Sequence, residues 1–204
     1  MATESATVEY EGHPTNFGVP NDKMGMWALI GSECLFFGAL LTTYLLYVNR
    51  LNDRPGPRDV FDIPFTSVST FVLLMSSLAM VLALGAIQHG DMRRFRTWIL
   101  ATALMGLTFL GGQLYEFIEF VTHYGLGFTT SPFSTSFYVL TGFHKVHVAF
   151  GVIMLLALWI GSFTGHVRPI RKHTGAVENV GLYWHFVDIV WIILFTVVYL
   201  IPAE

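Results

Sequence analysis

Long apolar stretches alternate with short polar segments along the chain. Each stretch holds roughly 20 or more residues, enough for an α-helix to cross a hydrocarbon core of about 30 Å. The pattern predicts five membrane-spanning helices, over residues 23–49, 66–88, 97–122, 136–163 and 178–201. We therefore predict an all-α integral membrane protein, with a polar N-terminal arm over 1–22 and a five-helix membrane domain over 23–204.

The composition supports a membrane protein and argues against several other classes. Hydrophobic residues make up 53% of the chain and charged residues 12%, whereas soluble domains are about 25% charged. The net charge of -3 gives no sign of nucleic-acid binding. Cys34 is the only cysteine, so the chain has no disulfide framework and no thiolate cluster for zinc or iron–sulfur. The arm lacks the basic start and apolar core of a secretory signal, so we expect it to be retained.

The positions of the lysines and arginines predict the orientation in the membrane. Five crossings place the termini on opposite sides, and the cytoplasmic segments normally carry the excess of Lys and Arg. The side of the N-terminus would hold seven of these residues: Lys23, Arg93, Arg94, Arg96, Arg168, Arg171 and Lys172. The other side would hold three: Arg50, Arg54 and Arg58. We therefore expect a cytoplasmic N-terminus and an outer C-terminus.

Several ionisable residues fall inside the predicted spans. Glu33 and Asp188 each lie about 15 Å from the start of their helices at the α-helical rise. A charged side chain facing lipid costs at least ~2.5 kcal/mol, so both should face protein or water. Glu33 either pins its helix to a neighbour, or it contributes to lipid-headgroup binding or proton handling. His185 and Asp188 share one helix face, and a satisfied buried pair is favoured over a catalytic dyad.

The spacing of the paired histidines and of the paired glutamates does not favour a haem or metal site. His144 and His147 are three residues apart on one helix and cannot ligate opposite faces of one haem. Glu116 and Glu119 have no Glu-x-x-His spacing beside them, so no metal site is predicted. Lys145 lies about 13 Å below the outer surface at the helical rise. We predict that an ion pair with Glu116 or Glu119 neutralises it.

Four ordered motifs stand out among the predicted helices. The last helix carries the clearest one, Tyr-Trp-His-Phe-Val-Asp-Ile-Val-Trp over residues 183–191. The other three are Ser32-Glu33-x-x-Phe36-Phe37, Gln113-x-x-Glu116-Phe117 and Thr141-Gly142-Phe143-His144-x-x-His147. Together they resemble subunit III of haem–copper cytochrome c oxidases. Glu178, seven residues before His185, also stands where this family has a glutamate. The resemblance spans residues 23–201 and matches the short, five-helix bacterial form.

The resemblance implies a metal-free subunit of a terminal oxidase of the aerobic respiratory chain. In this family subunits I and II hold the haem and copper, and subunit III packs mainly on subunit I, binds phospholipid, and supports proton uptake and oxygen access. The complex, rather than this chain, would reduce dioxygen and translocate protons. The expected location is the bacterial inner membrane. The long form of the family has additional N-terminal helices that build a phospholipid cleft. We therefore do not predict that cleft for this chain, and the resemblance assigns no role to Lys145.

Two other functions stay open at this point. Quinol oxidases and nitric oxide reductases have related accessory subunits, and the donor chemistry lies on other chains; we favour cytochrome c as the donor. An independent proton-coupled transporter would use Glu33, Asp188 and the histidines as a relay. The chain lacks the inverted repeats and broken helices of many such transporters.

Overall fold

The computed structural model describes residues 21–48, 63–124, 132–169 and 171–200. It contains five long α-helices, which we number in chain order: α1 Asn21–Val48, α2 Ile63–Gln88, α3 Met92–Tyr124, α4 Pro132–Phe163 and α5 Arg171–Phe195. The last helix continues as a π-helix over Thr196–Leu200. All five are long and apolar enough to cross a membrane, and no strand occurs in the described ranges. The predicted all-α fold with five spans is confirmed.

The helices begin earlier than the apolar stretches predicted. Helix α3 begins at Met92 and α5 at Arg171, several residues before the predicted starts at 97 and 178. Backbone hydrogen bonding continues through polar residues at the membrane surface, whereas the apolar pattern marks only the part that meets hydrocarbon. Asn21 and Asp22, assigned to the arm, belong to α1. Residues 1–20 of the arm lie outside the described residues.

The turn between α2 and α3 follows from local sequence. Gly90 has φ +78°, a left-handed conformation that suits glycine after the last residue of a helix. Asp91 then caps α3, because its Oδ1 accepts a hydrogen bond from the backbone N–H of Arg94 at 3.0 Å. Two residues on, Arg96 donates to the side-chain and backbone oxygens of Ser162 at the end of α4. These contacts hold α2, α3 and α4 together at one end of the bundle.

The core lies where α5 packs against its neighbours. Helix α5 contacts α1, α2 and α4, and α3 packs between α2 and α4. The Trp184 ring lies against two glycines: a Cβ built on Gly106 would come within 2.6 Å of the ring and one on Gly151 within 2.8 Å. Small residues of this kind let membrane helices approach closely. The Trp184 N–H donates to Ser76 on α2 at 3.0 Å.

Helix α1 is the most peripheral member of the bundle. It packs against α4 and α5, yet only Phe37 and Tyr44 among its residues are buried. Much of its remaining apolar surface is exposed, as expected for a helix that faces lipid or a partner protein. The attachment of α1 therefore depends on a small number of contacts.

Candidate functional site

The most completely engaged ionisable group is Glu116, which lies buried on α3. Its carboxylate accepts hydrogen bonds from Thr66 Oγ1 on α2 at 2.9 Å, Gln113 Nε2 on α3 at 3.0 Å and the Tyr199 hydroxyl at 3.1 Å. Only 2% of the residue is exposed. Because the donors come from three helices, this carboxylate joins α2, α3 and the end of α5. We call these four residues the Glu116 cluster.

Lys145 lies beside the Glu116 cluster but contacts a different atom from the one predicted. Its Nζ donates to the backbone carbonyl of Gln113 at 3.0 Å and lies over the ring of Phe117. Within the described ranges, the ion pairs closer than 4.0 Å do not include Lys145 with Glu116 or Glu119. The predicted direct ion pair is therefore wrong. The Glu116 oxygens are already occupied by three other donors, and the amine binds a carbonyl and an aromatic face instead.

A second polar contact joins α1 to α4 at mid-depth. Glu33 Oε2 lies 3.2 Å from His147 Nε2, and the two side chains are 23% and 17% exposed. His147 Nδ1 donates to the Phe143 carbonyl at 2.7 Å, because a carbonyl can only accept. The short contact between Nε2 and Oε2 therefore needs one proton between the two atoms, on either the imidazole or the carboxyl group. The pair can hold a proton and ties the weakly attached α1 to the bundle.

The His185–Asp188 pair predicted on α5 is not formed in the structure. His185 Nδ1 shares a hydrogen bond with the Ser77 hydroxyl of α2 at 2.5 Å. Asp188 is 2% exposed and neighbours Ser77, but neither of its oxygens has a hydrogen-bond partner among the described residues. The two residues share a face of the helix, yet the imidazole of His185 hydrogen-bonds to Ser77 of α2 instead of to Asp188. Neither a satisfied His–Asp pair nor a catalytic dyad is present.

His144 lies entirely within the aromatic core. Its Nε2 lies 3.2 Å from the Val187 carbonyl of α5 and donates to it. Its ring lies 4.9 Å from that of Trp191 and 6.1 Å from that of Phe109, measured between centroids. Nδ1 has no hydrogen-bond partner within the described part of the chain. His144 is thus a packing residue that links α4 to α5, one helical turn from the His147 that contacts Glu33.

Glu178 lies at the end of the bundle where α1 begins. Its Oε1 is 2.6 Å from Lys23 Nζ, and both side chains are about one third exposed, 36% for Glu178 and 33% for Lys23. This ion pair closes the gap between the first turn of α1 and the early part of α5. This ion pair was not predicted, because Lys23 served in the sequence only as evidence for the orientation of the chain in the membrane.

The structure distributes the predicted site residues over several separate contacts. They form the Glu116 cluster with Lys145 beside it, the Glu33–His147 contact, the Ser77–His185–Asp188 group, the buried His144 and the Glu178–Lys23 pair. Across the described ranges, no three His, Cys, Asp or Glu side chains converge as a metal site. Sequence reasoning missed Thr66, Ser77 and Tyr199. The only signal was a hydroxyl in an apolar span, and many such hydroxyls simply bond back to their own helix, as Thr42 does to Gly38.

Comparison with known proteins agrees with the motifs found in the sequence. The family model described as "Cytochrome c oxidase subunit III" matches residues 2–202. The chain belongs to this family. The match confirms the resemblance found in the sequence and the interpretation of an accessory subunit of a haem–copper terminal oxidase.

Individual relatives of this cytochrome c oxidase subunit III family member cover most of the chain. "Cytochrome c oxidase subunit 3" of Bacillus sp. strain PS3 is 39% identical over 180 residues, which are 88% of this chain and 86% of the relative. The protein of that name from Synechocystis sp. is 39% identical over 197 residues, 94% and 78% of the two chains. "Cytochrome bo(3) ubiquinol oxidase subunit 3" of Pseudomonas aeruginosa is 33% identical over 183 residues, 90% and 86%. The relatives and the five spans identify a multi-pass protein of a bacterial membrane.

Proposed function

We propose that this chain is the metal-free subunit III of a cytochrome c oxidase and supports the chemistry of the complex without carrying it out. It packs mainly on subunit I, lies near subunit II, and binds phospholipid. It sustains proton uptake and oxygen access while the partner subunits, with their haem and copper, reduce dioxygen and translocate protons.

The observation that supports this proposal is the set of contacts that the ionisable side chains make. Glu116, Glu33 and Glu178 each contact a second helix of the same chain. A catalytic centre would instead direct such groups toward one shared point, as in a nucleophile with its base or a set of metal ligands. The polar groups here tie the bundle together, which suits a supporting subunit. The Glu33–His147 contact can in addition hold a proton at mid-depth.

Cytochrome c is favoured as the donor over quinol by the pattern of identities. Five relatives named cytochrome c oxidase subunit 3 are 35–39% identical. Three named as quinol oxidase subunits are 31–33% identical. Oxygen consumption by the purified complex with reduced cytochrome c, compared with ubiquinol, tests this choice. Activity with quinol alone would assign the chain to a quinol oxidase.

Removal of this subunit from the purified complex tests the supporting role. We expect an unchanged visible haem spectrum and an initial rate close to that of the intact complex. Sustained turnover and proton uptake should decline, and they should recover when the subunit is added back. A Soret band in the isolated subunit, or the same sustained turnover in its absence, would contradict the proposal.

The orientation belongs to the same proposal and has its own test. The basic residues favour a cytoplasmic N-terminus. Single cysteines in the segments 89–91 and 166–169, placed in a Cys34→Ser background, should react with an impermeant thiol reagent only in inside-out vesicles. Reaction from the outside of intact cells would reverse the orientation.

A further inference from the structure

The Tyr199 hydroxyl donates directly to a buried carboxylate. Tyr199 lies in the π-helical end of α5, and its hydroxyl oxygen is 3.1 Å from Glu116 Oε2. That distance lies within the heavy-atom reach of about 2.6–3.2 Å that proton transfer to a base requires. Thr66 Oγ1 and Gln113 Nε2 donate to the same carboxylate and stabilise negative charge on it. Glu116 is therefore positioned as a base for the phenol proton.

A base at this position makes the phenol ring easier to oxidise. A phenol that loses an electron becomes a very strong acid, so the oxidation is favourable only when the proton can leave at the same time. Here the proton can move to Glu116, which leaves a neutral tyrosyl radical beside a neutral carboxylic acid. Neither product carries a charge, which suits a carboxyl group that is 2% exposed within an apolar bundle.

Trp191 provides a path for the electron. Its fully buried ring lies 6.3 Å from the ring of Tyr199, measured between centroids. Indole can also be oxidised by one electron, but the Trp191 N–H donates to the Thr70 hydroxyl at 2.9 Å, and a hydroxyl group is not a base. An oxidised Trp191 would keep its proton and its positive charge in the apolar core. It therefore takes an electron from Tyr199, whose proton has an acceptor.

Tyr183 lacks this arrangement, although it lies on the same helix. It is 4% exposed and Tyr199 is 6% exposed, so the two tyrosines are similarly buried. The Tyr183 hydroxyl donates to the backbone carbonyl of His147 at 3.2 Å. A peptide carbonyl accepts a hydrogen bond but does not take up a proton at neutral pH. The two tyrosines therefore differ in whether a base receives the phenol proton.

We propose that Tyr199, with Glu116 as its proton acceptor, is a redox-active tyrosine that quenches oxygen-centred radicals formed when the complex reduces dioxygen incompletely. Tyr199 gives one electron to the radical by way of Trp191, and the radical becomes an oxyanion. The O–H bond of Tyr199 breaks, and its proton goes to Glu116. A one-electron reductant, such as the electron donor of the complex, then restores the phenol, which takes its proton back from Glu116. This role goes beyond the supporting function proposed above, because a subunit without metal would itself accept an oxidising equivalent.

The experiment traps the tyrosyl radical in the assembled oxidase. The oxidised complex is mixed with hydrogen peroxide, freeze-quenched and examined by EPR spectroscopy, and ring-deuterated tyrosine identifies the tyrosyl signals by their narrowed hyperfine structure. Signals from partner subunits are common to all samples, so difference spectra between the wild type and each variant isolate the contribution of this chain.

Three variants separate the roles of the side chains. We expect Tyr199→Phe to lose one tyrosyl component and Tyr183→Phe, the matched control, to retain it. Glu116→Gln keeps the size of the side chain but removes the base, so it should lose the same component. During exposure to peroxide, Tyr199→Phe should also lose oxidase activity faster than Tyr183→Phe. Visible spectra and subunit content confirm that each complex is assembled.

Several results would overturn the proposal. One is the same tyrosyl spectrum in Tyr199→Phe and the wild type, and another is a component that persists in Glu116→Gln. Equal rates of inactivation in Tyr199→Phe and Tyr183→Phe would refute the quenching role. If Tyr199→Phe fails to assemble, an unchanged spectrum in Glu116→Gln overturns the proposal instead. Removal and re-addition of the whole subunit, followed by proton uptake, still tests the supporting function separately, because that comparison does not depend on a radical.

Discussion

Replacing Glu116 with alanine removes the acceptor at the centre of the Glu116 cluster. In the native structure the carboxylate accepts hydrogen bonds from Thr66, Gln113 and Tyr199. The site is 2% exposed, so water does not readily replace the lost oxygen atoms. Glu116→Ala should therefore weaken the contacts among α2, α3 and the end of α5 while leaving the apolar packing largely intact.

The structure gives the size of the effect. Hydrogen bonds between membrane helices contribute about 0.6 kcal/mol on average and about 1.7 kcal/mol at most. Two of the three bonds, from Thr66 and Tyr199, join different helices, and they predict a loss of roughly 1–3.5 kcal/mol in the free energy of unfolding. At about 1.4 kcal/mol per tenfold change, the unfolding equilibrium constant should rise by about fivefold to about three hundredfold.

Steric trapping of this subunit within the assembled oxidase can measure that change. Glu119→Ala is the matched control, because Glu119 is one turn away on α3 and its carboxylate makes no hydrogen bond or ion pair within the described residues. Tyr199→Phe should cost about as much as one of the three bonds, roughly 1 kcal/mol. The double change of Glu116 and Tyr199 should cost less than the two single costs added. If Glu116→Ala matches Glu119→Ala within about 0.5 kcal/mol, the cluster does not stabilise the bundle.

Three further predictions concern other contacts. Gly151→Ala should destabilise the subunit by about 1–3 kcal/mol, because the new methyl group meets the Trp184 ring; Gly142→Ala on the same helix has open space and is its control in the same trapping assay. Glu33→Ala should leave the haem spectrum of the complex unchanged and increase loss of the subunit during detergent washing; loss of haem would contradict a supporting role. Lys145→Met should cost no more than about 1 kcal/mol, because an apolar chain of similar length replaces the amine; a larger loss by steric trapping would show that the positive charge itself stabilises the bundle.

The number and type of the helices could be predicted because lipid imposes a simple requirement. A span must satisfy its own backbone and expose apolar side chains, so the apolar runs alone located all five helices. The sequence also predicted that Glu33 and Asp188 would face protein or water. The burial of Asp188 and the contact of Glu33 with His147 follow that expectation.

The partners of the buried groups could not be predicted, because they depend on rotation and depth at each helix contact. Lys145 and Glu116 lie at similar depths, which suggested an ion pair, yet a backbone carbonyl takes the amine. His185 and Asp188 share a face of α5, yet Ser77 binds the imidazole. An offset of one residue on a neighbouring helix decides such contacts, and hydrophobic periodicity does not resolve that offset.

The π-helical end of α5 makes the Glu116 cluster depend on how the helix is wound as well as on which residues it contains. The wider turn over Thr196–Leu200 brings the Tyr199 hydroxyl to Glu116. If the same residues continued as an ordinary α-helix, at about 100° per residue, Tyr199 would point in a different direction around the axis. The sequence and its hydropathy would be identical, and the span would still cross the membrane. The bond between this tyrosine and the buried carboxylate therefore depends on local helix geometry that a hydropathy pattern does not report.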